Sequence, residues 1–324
     1  MGVAAVIPNW NGAHFLGPLF SSLREQDFSF DEILLVDNGS SDDSAKIAEQ
    51  ANATVIRLES NRGFAVAVNR GIGAARSEFA AVLNNDLRLR RDWLSNLVRG
   101  IGTHAFATGK VLSEADPTKI DGTWDALCRG GTAWRCGAGR TDGPVWSVER
   151  DIVFPPLTAA LLNRRVFLEA GGLDETFESY LEDVDFGLRC ASKGHTGRYV
   201  PSAISWHAGS GTLGRWNPRT VRQISRNQVL LLARHYPPEL LRRYGFEIAV
   251  AQVLWGLIAL RHGGGTAWIE GKWEGIRRFR QLRRPGWPGA GPVLVASDKE
   301  IAELQALTGT DAYWRMYFAL VGRL

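Results

Sequence analysis

Three carboxylates crowd into Glu182-Asp183-Val184-Asp185-Phe186, ahead of a helical apolar pattern through Leu188 and Cys190. Acidic residues at a helix start are stabilised by the helix dipole, by roughly 0.3–1 kcal/mol each, and that alone would explain them. They also suit chemistry, because a carboxylate within hydrogen-bond reach of a hydroxyl can act as a general base. Asp185 would cap the helix or face solvent. Far upstream, Asn84-Asn85-Asp86 ends an apolar run. An Asx turn is the plain use of such a segment. A carboxylate there, near bound pyrophosphate, would also suit Mg²⁺ or Mn²⁺, which keep water and phosphate oxygens and take only one or two carboxylates. Downstream stands Trp206-His207-Ala208-Gly209-Ser210-Gly211. A lone His is usually structural, but beside a metal-bearing Asp it is a credible ligand. In this order, the three segments suggest a metal-assisted transfer on a nucleotide-bound substrate.

Positioning such groups needs strands that end side by side. Val3–Ile7, Ile33–Val36, Thr54–Leu58 and Phe79–Leu83 are short apolar runs with little alternation. Strands covered on both faces of a parallel sheet read this way. Helical segments fall between them, near Ala13–Glu25, Asp43–Gln50 and Ala65–Ala75. The alternation predicts an α/β architecture with right-handed crossovers. Ligands of such sheets sit outside the carboxyl ends of the strands. Those ends carry Pro8-Asn9, Asp37-Asn38-Gly39-Ser40 and Asn84-Asn85-Asp86. Asp37 either closes a well-capped turn or accepts hydrogen bonds from a base or ribose. In Asn61-Arg62-Gly63-Phe64-Ala65, Gly63 permits a tight approach at a helix start. That glycine serves a cap or an anion.

Residues 113–150 are rich in Gly, Asp, Arg and Trp and predict a long irregular loop region. Beyond it, Ile152–Phe154 and Leu157–Leu162 are ordered runs, then Asn163 caps a helix that Gly171-Gly172 ends. From Asn217 the pattern is helical. Phe246–Leu260 is nearly all apolar but short of the about 20 residues of a membrane span. In Thr266–Leu282, Lys272 and Arg280 fall on the apolar side, where their stems would snorkel. These helices either cap a core, with room for a homodimer contact, or lie on an anionic membrane with Trp268 and Trp273 at headgroup depth.

The 324 residues carry a net charge of +4 and a pI near 9.1, a mild basic balance that suits phosphorylated ligands or an anionic membrane face. No zinc-knuckle spacing or RNA-binding aromatic signature is present, so nucleic acid is not an expected partner. Cys128, Cys136 and Cys190 fit neither a metal site nor a closed disulfide set and are expected to be reduced thiols of a cytosolic protein. The chain enters an apolar strand at once, so no signal peptide is expected, and Val6 spoils a myristoylation pattern.

As an ordered set, several segments resemble the family 2 glycosyltransferases of the GT-A fold, in particular their rhamnosyltransferase-like branch. They are Val6–Gly12, Val36–Ser44, Asn61–Ala65, Leu83–Leu87, Gly171–Phe177, Tyr180–Arg189 and Trp206–Gly211. The resemblance implies a GT-A domain over residues 1–215, with a mostly parallel central sheet flanked by helices; the helical pattern over 216–324 is expected to form a C-terminal extension that either caps the core or associates with a membrane. It implies inverting transfer of rhamnose or a similar hexose from a dTDP- or UDP-linked donor to a glycan or lipid-linked glycan. Asp183 would be the base, with Glu182 beside it helping to hold the acceptor. Pro8, Asn9, Asn11, Asp37, Asn38, Gly63 and Asn85 would form the nucleotide pocket. Asp86 and His207 would hold Mg²⁺ or Mn²⁺, with Asn84 in place of the first Asp of the DXD-type motif. Trp124, Arg129, Gly130 and Thr158 would meet donor or acceptor sugar. The expected location is cytoplasmic, on the inner face of the plasma membrane. A nucleotidyltransferase would show a Gly-rich, Lys-containing loop near the first strand, where Pro8-Asn9-Trp10-Asn11 stands instead. A non-catalytic membrane scaffold would not need Asp86, Glu182, Asp183 and His207.

Overall fold

The computed structural model describes residues 1–209 and 216–322. Ser210, Gly211 and residue 215, where the sequence places the end of the first domain, lie outside the described residues. The chain divides into two compact units, Met1–Trp124 with Gly137–Thr212, and Asp125–Cys136 with Leu213–Leu324.

The strands are β1 (Val3–Asn9), β2 (Glu32–Asp37), β3 (Thr54–Arg57), β4 (Phe79–Leu83), β5 (Leu87–Leu89), β6 (Phe106–Ser113), β7 (Ile120–Gly122), β8 (Asp125–Leu127), β9 (Ala133–Arg135), β10 (Arg150–Ile152), β11 (Ala159–Asn163) and β12 (Gly197–His207). In the first unit the sheet order is β10-β12-β6-β11-β4-β1-β2-β3, with β5 added to β12 and β7 to β6. Strands β1 to β4 are mutually parallel, as is the β6–β12 pair, while β11 runs antiparallel to β4 and β6.

The buried, unalternating strands are explained by helices on both sheet faces. The first six helices are α1 (Ala13–Arg24), α2 (Ser44–Gln50), α3 (Phe64–Ala74), α4 (Trp93–Ile101), α5 (Arg164–Glu169) and α6 (Glu182–Ser192). Val3, Ala5 and Ile7 of β1 pack with Leu16, Leu19 and Phe20 of α1 and with Trp93, Leu94 and Leu97 of α4 in one cluster. On the other face, α3 lies so close that a Cβ on Gly71 would sit 2.3 Å from Val6 Cγ1. The chain lays down β1, β2 and β3 outward, then returns past β1 to form β4, leaving a switch point between β1 and β4.

Residues 113–150 differ from the expected irregular loop. They hold β7, β8, β9 and a 3-10 turn at Pro144–Trp146, each three residues long. Three residues carry no readable period, so the sequence could not announce them. Asn163 does cap α5, accepting from the Val166 amide at 3.1 Å. Gly171 and Gly172 follow that helix at φ +87° and +66°.

The second unit joins the β8–β9 pair to α7 (Pro218–His235), α8 (Pro238–Arg243), α9 (Gly245–Arg261), α10 (Gly265–Leu282), α11 (Ala290–Thr308) and α12 (Ala312–Val321). Among the described residues, no helix is long and apolar enough to cross a membrane. Helices α7 and α10 meet at backbone distance: a Cβ on Gly271 would lie 2.3 Å from the Arg222 carbonyl, and one on Gly275 2.7 Å from Val229 Cβ. Trp268 is partly buried, whereas Trp273 is exposed. The Trp268 ring fills the space over Gly256 and packs on the Val221, Ala259 and Ala267 cluster. Burial pushes the thiols of Cys128 and, in the first unit, Cys190 up to about 12, so neither is a ready nucleophile.

Lys272 does not snorkel. Its ammonium donates to the Ser225 carbonyl at 3.0 Å, to Gln228 Oε1 at 2.7 Å and to Gln252 Oε1. Burial, with no carboxylate to oppose it, pulls its pKa from 10.5 to about 7. Between those values the unfolded chain holds the proton and the folded one does not, so folding stability is full above the unfolded pKa and is lost as pH falls toward 7. His207, whose pKa is raised to about 9, works the opposite way over the same range, so the lysine is read by difference: in urea unfolding, the stability of the wild type relative to Lys272→Met should rise by about 2 kcal/mol from pH 7 to pH 9. A constant difference would show that Lys272 keeps its proton when folded.

Candidate functional site

The carboxyl ends of β1, β2 and β4 are tied by short polar contacts. Asn85 Nδ2 donates to Asn9 Oδ1 at 2.7 Å across the switch point. Asn9 Nδ2 donates to Ser40 Oγ at 3.3 Å, and the same oxygen accepts from the Asn11 amide at 2.9 Å. Asp37 Oδ1 accepts from the Ser40 amide at 3.2 Å. Asn38 reaches the other way, donating to the Gly63 carbonyl at 3.0 Å and accepting from the Arg62 amide at 2.9 Å. Pro8 lies half-buried in β1, paired with Val36 of β2. Gly12 is required by this knot, because a Cβ there would fall 2.0 Å from Asn85 Nδ2.

The second cluster forms where β12 ends. Its pairing with β6 shifts between Tyr199 and Ile204, a bulge that carries Pro201 and presses Ala203 O against Gly109 of β6. Proline is tolerated at such a point, since a bulge leaves ladder positions unpaired. Beyond the bulge, β12 pairs with β5, His207 opposite Leu87. That register sets His207 Nε2 3.0 Å from Asp86 Oδ1, while Nδ1 lies 3.0 Å from Asp121 Oδ2 on β7. Asn84 Nδ2 is 3.5 Å from the same Nε2, and the Asn84 amide donates to the Thr158 carbonyl at 2.9 Å. Burial disfavours the imidazolium, but hydrogen bonds to Asp121 and Asp86 outweigh it and raise the His207 pKa to about 9.

Among the described residues, no group of three or more His, Cys, Asp or Glu side chains forms a metal cage. The donor set here is nonetheless suited to a divalent ion that completes its shell with phosphate oxygens. A carboxylate and an imidazole nitrogen converge, and a second carboxylate holds the far ring nitrogen, the usual support of a metal-ligating His. Asp121 was not singled out from the sequence. Its place depends on a three-residue strand that carries no pattern.

Glu182 and Asp183 occupy the first turn of α6 and are buried. Asp183 Oδ1 accepts from the Val184 amide at 2.8 Å. Asp185 does not face solvent. It is 1% exposed and is clamped by Arg189 at 2.8 Å, one helical turn on. The approach to this turn is strained: Glu178, Tyr180 and Leu181 all have positive φ, at +61°, +71° and +67°. Such residues cost of order 1–3 kcal/mol each and persist where surrounding structure imposes them. Here the N-terminus of α3 imposes them. The Ala65 amide donates to the Glu178 carbonyl at 2.9 Å and the Phe64 amide to Ser179 Oγ at 3.2 Å. The tight approach anticipated at Gly63 is made by Glu178, whose carbonyl would lie 2.7 Å from a Cβ there.

The sugar-contact candidates fall in both units. Trp124 is a core residue of the first unit, between Tyr199 and Trp146 at ring distances of 4.9 and 5.8 Å, with Arg150 over its face at 4.4 Å. Arg129 and Gly130 belong to the second unit. Arg129 is held there by Asp298 and, at 3.6 Å, by Glu247. The Gly130 carbonyl accepts from Gln252 Nε2 at 2.9 Å.

Glycosyl transferase family 2 matches residues 4–123, and glycosyl transferase family group 2 matches residues 81–290. The chain is 29% identical over 224 residues to the pre-mycofactocin glycosyltransferase of Mycobacterium tuberculosis, covering 67% of this chain and 45% of that one. It is 27% identical over 210 residues to the N-acetylglucosaminyl-diphospho-decaprenol L-rhamnosyltransferase of the same organism, covering 56% and 68%. The chain thus spans about half the length of the first of these relatives. A mannosyltransferase from Pyrobaculum calidifontis, solved with GDP-Man and Mn²⁺, superimposes with a TM-score of 0.51 at 17% identity, covering 98% of this chain and 86% of that one. GalNAc-T7, solved with UDP, GalNAc and Mn²⁺, gives 0.61 at 15% identity, covering 87% and 56%. At these identities the likeness is one of fold.

The Gly63 contact is testable by adding one methyl group. Gly63→Ala should destabilise the protein by about 2–4 kcal/mol, because the new Cβ meets backbone and the φ of +91° disfavours it. Chemical unfolding measures this, and a change within about 0.5 kcal/mol would show that the contact is slack.

Proposed function

The chain belongs to glycosyl transferase family 2 and has the GT-A fold, and from that premise we propose that it transfers a hexose with inversion from a nucleoside diphosphate to a glycan hydroxyl. The observation that carries this reading is the Glu182-Asp183 turn. It is buried, strained and tied through Gly63 to the knot at the ends of β1 and β2. Strain of this kind clusters at working sites.

Asp183 takes the proton of the acceptor hydroxyl as its oxygen bonds to the anomeric carbon. The bond from that carbon to the diphosphate breaks on the opposite face, so the configuration inverts. Glu182 helps hold the acceptor. Asp37 and the amides of Asn9, Asn11, Asn38 and Asn85 form the nucleotide pocket with Pro8, pre-set by their contacts with one another. A rigid pocket favours transfer by holding the reactants aligned. Asp86 and His207 Nε2 would hold Mg²⁺ or Mn²⁺, which when bound offsets the charge of the leaving diphosphate. Asp121 keeps the proton on Nδ1, so Nε2 is the nitrogen that would give up its proton to take the ion. Rhamnose or a similar hexose as the donor sugar, and a lipid-linked glycan as acceptor, are supported by similarity to the rhamnosyltransferase named above, and the proposal takes the carrier to be dTDP or UDP. Such an acceptor places the work at the inner face of a membrane.

Two substitutions separate these roles. Asp183→Asn should lower kcat by about 10²–10⁴-fold while donor affinity, read by calorimetry, stays within about threefold. Equal loss of donor binding would rule out the base assignment. Asp121→Asn should weaken Mn²⁺ binding by about 10–100-fold in a titration followed by electron paramagnetic resonance. An unchanged titration would reduce Asp121 to a structural hydrogen bond.

A further inference from the structure

Helices α9 and α10 form an antiparallel hairpin within the second unit. Gln252 meets Lys272, Gly256 meets Trp268, and Leu260 meets Gly265. On α10, the residues facing α7 are Gly271 and Gly275, and those facing α9 are Trp268 and Lys272. At 100° per residue, Ile269, Trp273 and Ile276 fall beyond the α9 contact, on the side away from α7. On α9, Phe246, Val253, Leu257 and Leu260 fall beyond the α10 contact in the same way. All seven are more than half exposed. The two stripes therefore flank one seam on one outer face, a larger apolar surface than scattered exposed residues make.

The charges around this face have mostly one sign. Exposed Arg277 and Arg280 continue the α10 stripe, exposed Arg242 and Arg243 stand just before Phe246, and exposed Arg261 closes the other end. Exposed Glu270 and Glu239 oppose them, and Glu239 already lies 3.5 Å from Arg242. Neither helix can cross a bilayer. An apolar stripe edged with arginine, on a helix too short to span, has the pattern of a helix lying in the interface plane.

We propose that the outer face of the α9–α10 hairpin docks on an anionic lipid bilayer. The apolar residues enter the acyl boundary, Trp273 sits at headgroup depth, and the arginines meet lipid phosphates. A second copy of the chain fits less well, because this face would bring its own arginines against each other. The inference deepens the proposed function, resting on its lipid-linked acceptor for its purpose, but binding to lipid needs neither donor nor turnover.

The test is co-sedimentation of the full chain with vesicles of phosphatidylcholine alone or mixed with phosphatidylglycerol. Binding is expected to the anionic vesicles and should weaken as salt rises. Leu257→Ser with Trp273→Ser should lower the partition coefficient by about tenfold or more without moving the melting temperature. Arg277→Gln with Arg280→Gln should erase the preference for anionic lipid. No binding at low salt overturns the proposal. So does a dimer in sedimentation velocity that the Leu257 and Trp273 changes dissolve, since the occupant is then a second copy. Lost vesicle binding with intact donor turnover counts against this surface alone, whereas vesicle binding without any turnover counts against the proposed reaction alone.

Discussion

The amide of Asn85 bonded to Asn9 across the switch point is the contact on which the site depends. It joins the loop after β4 to the end of β1, two segments that meet only because the chain returns past β1. Once Asn9 Oδ1 is committed, its amide must point to Ser40, and Ser40 then receives the Asn11 amide. Each bond removes a rotamer from the next residue. Gly12 is the steric condition for all of it. Loops that satisfy their own polar groups in this way do not need to be ordered by a ligand, and the ordering entropy is met at folding rather than at binding.

From the same loop, Asn84 and Asp86 stand on either side of Asn85, and the knot therefore sets where the charged cluster lies. The bulge in β12 completes the arrangement from the other direction, bringing His207 to Asp86 and Asp121. Two partly buried carboxylates around one imidazole leave room for one positive charge, and the elevated His207 pKa expresses that demand. The Glu182-Asp183 turn is held differently, by backbone conformations that the α3 N-terminus and a missing Cβ at Gly63 help sustain. The two halves of the site thus rest on two devices, electrostatic complementarity on one side and imposed strain on the other.

What the sequence could reveal follows from the range of the interactions. Strands β1, β2 and β4 were legible because burial on both faces leaves a continuous apolar run; β3, at the sheet edge with no buried residue, was legible by its β-branched residues. Asn163 was legible because capping is local. The knot was half legible: Asn9, Asn38 and Asn85 announced strand ends, but nothing in the spacing showed that they would bond to one another. Asp121 was hidden in a strand too short for a period. The left-handed run at Glu178, Tyr180 and Leu181 contains no glycine, so its sign was missing from the very residues that adopt it. Asp185 was read as a cap or a solvent-facing residue, although Arg189 four residues on already marked it for an ion pair.

Helix α10 shows the limit of reading an amphipathic wheel from composition. Lys272 and Trp273 are consecutive, yet the lysine ends among three buried acceptors and the tryptophan in the open. The cause lies on the opposite side of the helix. Gly271 and Gly275 let the α7 backbone come so close that Ser225 and Gln228 present polar groups to α10 where a layer of apolar side chains would otherwise stand. A long, unbranched amine satisfies those groups, and an apolar residue would strand them. With one stripe of α10 given to close packing and its edge to hydrogen bonds, the apolar residues are left with the outer side. Polar-in and apolar-out on one helix is a burden in water alone, and it ceases to be one where the outer side faces hydrocarbon.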